Sequence, residues 1–234
     1  MPDAAPPFRN KLLAGLSNAD LDLLKPALEP IDLQFRENIE RSRERIPYAY
    51  FFETGLASVV ARSKGGREVE VGLIGFEGMS GLGLVLGDDI ALNDAFMQAP
   101  AKAVGIEAAR LVACLEQSPT LRVRLLRYAH VFLSQIAQTA VSNGRATIEE
   151  RLARWLVMAH DRLGDEFEFT HEFLSIMLGV RRPGVTVALH FLEGDGLIRS
   201  TRGVVSIIDR EGLIEASNGG YGGPEADYAR LLES

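Results

Sequence analysis

Along the chain the spacing of apolar residues changes once, near residue 117, and that change organises everything else. Before it, helical signals are few. Ser17 is placed to cap a short helix in "NADLDLLKPAL", which Pro26 and Pro30 close. From Ile31 to about Ile106 the chain is a series of short apolar or alternating runs, "YAYFF", "LASVVA", "REVEVGLI" and "AFMQA", punctuated by glycine. Val69, Val71 and Leu73 alternate with Glu68, Glu70 and Gly72, the period of a strand with one buried face. Many short strands separated by turns predict an antiparallel barrel or roll.

After Ser118-Pro119 the period is helical. Leu121, Leu125, Tyr128, Phe132, Ile136 and Thr139 form a heptad-like seam, and Val123, Leu126, His130, Leu133, Ala137 and Ala140 form a second stripe beside it. Two apolar stripes on one helix serve two surfaces, one within the chain's own domain and one on a partner helix; the alternative is one wide core-facing stripe. The heptad-like seam is assigned here to the partner, over residues 118–142, with Asn143-Gly144 ending the helix. Thr147 and Glu150 then form a capping box for "TIEERLARWLVMAHDRLG", which Gly164 terminates.

From Thr170 the pattern is helix, tight turn, helix, hairpin. "THEFLSIML" starts at Thr170 as N-cap, Gly179 supplies the turn, and the next helix places Val185, Ala188, Leu189 and Leu192 on one face. Leu197-Ile198 begins a strand that "TRG" turns and "VVSII" returns. A helix-turn-helix with a β-wing is expected over residues 144–215. The tail, 216–234, reads as a glycine-rich linker with room for one short helix.

Composition narrows the function classes. A chain of 234 residues with 47% hydrophobic and 24% charged residues suits one large or two modest soluble domains. Its single cysteine, Cys114, excludes internal disulfides and four-cysteine metal sites within one chain. The N-terminus lacks the basic-then-apolar order of a signal peptide, and no apolar run approaches the roughly 20 residues of a membrane span, so a cytoplasmic protein is expected. The net charge of −7 argues against a protein coated in nucleic acid. A local basic face remains compatible with it, because salt screens charges beyond roughly 8–10 Å.

The segment "FTHEFLSIMLGVRRPGVTVALHFLEGDGLIRSTRGVVSIIDREGL" resembles the DNA reader of Crp/Fnr-type transcription regulators. "GREVEVGLIGFEGMSGLGLVLGDD" and "EERLARWLVMAHDRLG" are similar to the same family's β-roll and the helix before the reader. The resemblance covers roughly residues 15 to 215 and implies an α+β protein: an N-terminal antiparallel β-roll sensor (1–117), a dimerisation helix and a winged helix-turn-helix. It implies a homodimer on double-stranded DNA with a palindromic operator, and adds RNA polymerase as a further candidate partner.

Arg182 matches the family's guanine-reading arginine. Arginine at a helix N-terminus in the major groove reaches guanine O6 and N7, a contact worth ~1–3 kcal/mol of discrimination. Arg181 stands beside it, and Thr186 and His190 lie on the same face as Arg182; these two are base contacts, phosphate contacts or spectator surface. Gly184 is expected to leave space against the DNA. Thr170 and His171 open the helix whose N-terminus meets a phosphate, and Arg199 and Arg202 bracket the wing turn. In the cyclic-AMP-receptor branch an acidic residue follows the guanine-reading arginine and a second arginine comes later. Here Pro183 and Val187 stand in those places, so that branch's target sequence is not expected.

Cyclic-nucleotide-binding members use a glycine–glutamate pair and, about ten residues on, an arginine for the phosphate. Here Asn93 stands where the arginine belongs and Gly83 where the glutamate does; Glu77 substitutes for the glutamate only by allowing an insertion. Without the guanidinium a cyclic phosphate loses a charge-assisted bidentate pair, so no cofactor is expected and cyclic nucleotide least of all. Haem and iron–sulfur sensing lack their ligands, and Cys114 is read as a buried inert thiol rather than a redox switch.

Enzyme motifs fail one by one. "HEFLS" has Ser175 where a zinc site needs histidine, "GLGLVLG" has Leu86 in place of the third glycine, and "GMSGL" misses the spacing of a nucleophile elbow. The alternative to a DNA-binding regulator is a scaffold module with a degenerate sensor and no DNA binding.

Overall fold

The computed structural model describes residues 8–66 and 68–233. The N-terminal stretch on which the signal-peptide expectation rests lies outside them. In chain order the elements are α1 (Lys11–Ala14), α2 (Asn18–Leu24), β1 (Glu29–Leu33), β2 (Asn38–Glu40), β3 (Tyr48–Phe52), β4 (Leu56–Arg62), β5 (Glu68–Ile74), α3 (Leu82–Leu86), β6 (Asp94–Ala99) and β7 (Ala101–Glu107). They continue with α4 (Ala108–Gln117), α5 (Pro119–Arg145), α6 (Ile148–Leu163), β8 (Glu166–Glu168), α7 (His171–Met177), α8 (Arg182–Gly194), β9 (Ile198–Thr201), β10 (Val204–Ile207), α9 (Arg210–Ala216) and α10 (Gly223–Leu232).

Two units emerge, each with its own core. One comprises residues 8–59, 74–131 and 228–233; the other comprises Val60–Leu73 and Phe132–Asp227. In the first, β1, β7 and β3 form an antiparallel sheet in the order β1-β7-β3, with Leu33 opposite Ala101 and Phe52 opposite Ala103. Strands β2 and β6 pair antiparallel in a second sheet, Asn38 opposite Phe96. Phe51, Phe52, Leu33, Met79, Met97 and Ile106 are fully buried and fill the roll with side chains. The capping expectation for α2 is met: the Ser17 hydroxyl accepts from the Asp20 N–H at 3.1 Å. Asp20 is itself buried, and its carboxylate accepts from the hydroxyls of Ser17, Ser118 and Thr120.

In β5 the alternation reads differently in three dimensions. Glu70, expected on the wet face, is buried, while Val69 and Val71 are only half-buried. The reason lies in α6: Trp155 Nε1 donates to Glu70 Oε1 at 2.9 Å. A buried carboxylate persists where a donor meets it. Gly72 next to it leaves room for Phe132, whose ring atoms would lie 2.7–2.8 Å from any Cβ there.

The helix expected over 118–142 runs on to Arg145. Glycine inside a helix costs ~1 kcal/mol against alanine, which does not stop a helix already this long; Ala146 N–H still donates to Ser142 O at 3.0 Å. Cys114 sits in α4 and is buried.

Candidate nucleic-acid interface

The reader begins with α6. Thr147 and Glu150 form the reciprocal capping box expected of them, and Thr147 N–H together with the Asn218 amide holds the Glu150 carboxyl below its ordinary pKa. On its buried side Trp155 meets Phe167, Phe169 and Phe173 edge-on, with ring centroids 6.0–6.3 Å apart. Phe167 belongs to β8, a third wing strand beyond the expected hairpin: the sheet order is β8-β10-β9.

Thr170 caps α7, its hydroxyl accepting from Phe173 N–H at 3.1 Å. Leu174 and Met177 anchor the helix. The chain then turns through Gly179 at φ +60°, a left-handed conformation that glycine adopts without a Cβ penalty. Arg181 is extended (φ −79°, ψ 144°) and caps α8, and Arg182 is the helix's first residue. Pro183 follows in the first turn, where a missing N–H leaves no intrahelical bond unmade. Val185, Ala188, Leu189 and Leu192 are buried and orient the rest of the helix.

That arrangement leaves Arg181, Arg182, Pro183, Val187, His190 and Phe191 exposed. Thr186 is half-buried: its hydroxyl donates to the Arg182 carbonyl at 3.3 Å and lies 3.0 Å from His171 Nδ1. His171 and Thr186 thus tie the start of α7 to the first turn of α8. Glu193 is drawn off the helix surface, its carboxylate accepting from Ser200 N–H at 3.0 Å. In the wing, Thr201 pairs with Val204, and Arg202 and Gly203 make the turn between them at φ 52° and 85°. Both residues are left-handed, as a two-residue hairpin turn demands. Arg199 and Arg202 are exposed.

Gly184 lies against α6. A Cβ there would lie 2.9 Å from Ile148 Cδ1, so the bare backbone also leaves room for the α6 side chain. Val187, which stands where the cyclic-AMP-receptor branch has its later arginine, and Phe191 are both exposed. Their i, i+4 spacing was visible, but only the buried face of α8 reveals that they point outward.

The heptad-like stripe of α5 needs a correction too. Leu121, Leu125 and Tyr128 are buried in the first unit, Phe132 and Thr139 in the second, and Ile136 is half-buried. Packing inside the chain consumes them. The stripe left open is the other one: Val123, Leu126, His130, Leu133, Ala137 and Ala140 are all exposed, with Val141 extending it.

In the roll, Gly83 lies in α3, where a Cβ would come within 2.8 Å of the Asp88 carbonyl; Asp88 N–H closes the turn on Gly83 O at 2.9 Å. Asn93 is half-buried just before β6 and brings no cation. Burial pushes the Cys114 thiol pKa up, disfavouring the thiolate. Among the described residues no group of three His, Cys, Asp or Glu side chains is placed to hold a metal, and no helix is long and apolar enough to cross a membrane.

Residues 150–216 match the model of the Crp-like helix-turn-helix domain. No curated protein matches the sequence. Among solved structures, one described as a Crp/Fnr-family transcriptional regulator from Eubacterium rectale superposes with a TM-score of 0.70 at 18% identity, covering 88% of this chain and 97% of its own. FixK2 from Bradyrhizobium japonicum gives 0.70 at 17%, covering 81% and 96%. A Crp-family transcriptional regulator from Thermus thermophilus gives 0.66 at 18%, covering 80% and 96%. The chain therefore has the fold of the Crp/Fnr regulators and carries a Crp-like helix-turn-helix domain.

Proposed function

We propose that this protein is a dimeric, sequence-specific DNA-binding transcription regulator. The observation that carries the reading is the exposed Arg181-Arg182 pair at the first residue of α8, on a helix whose opposite face is buried. A helix N-terminus in the major groove places such an arginine at guanine O6 and N7. Arg199, Arg202 and the Thr170–His171 start of α7 supply phosphate contacts that fix register without reading sequence.

Dimerisation uses the open stripe of α5, Leu126, Leu133, Ala137 and Val141 foremost. Two readers on one dimer require half-sites one turn of DNA apart, about 34–36 Å. Because α5 contributes residues to both units, a signal that shifts it changes the spacing of the readers, a population shift between binding-competent and incompetent dimers. The signal is not a cyclic nucleotide in this reading, since Asn93 offers no guanidinium to a buried phosphate. Selection of bound sequences from a random DNA pool with the full chain tests it. An enriched inverted repeat containing a guanine supports the reading, and a pool that never departs from random refutes it.

A further inference from the structure

The outward face of α8 carries two parallel stripes, each stepping by four residues. One is polar: Arg182 and His190, with the half-buried Thr186 between them. The other is apolar: Pro183, Val187 and Phe191, with Val187 62% and Phe191 57% exposed. Residues four apart stack on one helix face, so the stripes lie side by side along the helix. Apolar side chains grouped on one exposed helix face, unlike singly scattered ones, point to an interaction surface. Its surroundings say what meets it. Arg181, Arg182, Arg199 and Arg202 are exposed on the same domain, beside the exposed Glu172 and Asp195, and the acid of the helix itself, Glu193 at its C-terminal end, is bonded to Ser200 N–H. A cation-rimmed apolar strip suits a polyanion that presents apolar groups. In the major groove those groups are the 5-methyls of thymine.

We propose that Val187, flanked by Pro183 and Phe191, selects thymine in each half-site by packing against its 5-methyl group. This rests on the DNA-binding reading above and assigns the specificity that a guanine contact from Arg182 cannot supply. The division of labour is chemical: the polar stripe matches hydrogen-bonding edges, and the apolar stripe matches methyl groups.

Replacing each thymine of a selected site by deoxyuridine removes the methyl and keeps every hydrogen-bonding atom. At one or two positions per half-site the substitution should weaken binding of the intact protein about fourfold, the factor expected for one buried methyl. Val187→Ala should bind the original site more weakly and lose that uracil sensitivity, while Arg182→Ala retains it. Circular dichroism and melting of Val187→Ala should match the parent, since the side chain is exposed. Specific binding that ignores uracil at every position would overturn the methyl reading while leaving DNA binding intact. If no sequence is enriched, the DNA reading and this one fall together. Uracil sensitivity that survives in Val187→Ala would assign the methyl contact elsewhere and refute the role given to Val187.

Discussion

Trp155 Nε1 donates to the carboxylate of the buried Glu70 across 2.9 Å, joining residues 85 positions apart in sequence. A donor removed from a buried acceptor costs ~1–3 kcal/mol, because the acceptor has given up water. Trp155→Phe should therefore lower the urea midpoint by an amount in that range. Glu70→Gln, which keeps an acceptor oxygen, should cost less than half as much. Equal midpoints for Trp155→Phe and the parent would show that the bond contributes nothing.

The two stripes of α5 give opposite outcomes on mutation. Leu133 is 55% exposed, so Leu133→Glu should leave folding intact while light scattering at micromolar concentration falls from twice the chain mass to the chain mass. Leu125 is buried, so Leu125→Ala should instead cost ~2–5 kcal/mol of stability by opening a cavity. A Leu133→Glu protein that remains dimeric would move the interface elsewhere.

Asp20 makes stability depend on pH. Burial opposes its ionisation, but the hydroxyls of Ser118, Ser17 and Thr120 outweigh it and hold the carboxyl below its ordinary 3.8. The folded state then binds this proton more weakly than the unfolded chain. Its contribution is present above the unfolded pKa and is lost as pH falls through the folded one. Asp20→Asn should cost ~1 kcal/mol at pH 7, with the difference from the parent shrinking below about pH 4. A difference that stays constant down to pH 2 would contradict the assignment.

In the proposed function Arg202 meets phosphate rather than base. Arg202→Asn keeps a residue that tolerates the left-handed φ of 52° and removes the charge. Binding to selected and random DNA should weaken by the same factor, and the slope of log K against log salt should fall by about one per protomer. A loss confined to the selected sequence would make Arg202 a base reader.

Much of the reader was legible in the sequence because its signals are local. Thr170 as a cap, Gly179 as a turn and Pro183 in a first helical turn each follow from one or two neighbouring residues. What stayed hidden depends on distant ones. Glu70 faces inward where Trp155 arrives to donate to it. Gly184 is bare for Ile148, and no sequence rule pairs those positions. The stripes of α5 are both apolar, so periodicity located them without deciding which the chain covers itself. β8 is three residues long, too short for alternation to reveal.

In the proposed function Arg182 reads a base. Titration of the full chain and of Arg182→Ala against a selected site and a random duplex, at one fixed salt concentration, tests it most directly. The account predicts a loss of ~1–3 kcal/mol on the selected site, roughly 5- to 150-fold, with much less loss on the random duplex and an unchanged melting temperature. Identical affinity of parent and variant for the selected site would contradict it and favour a scaffold whose helix-turn-helix no longer reads DNA.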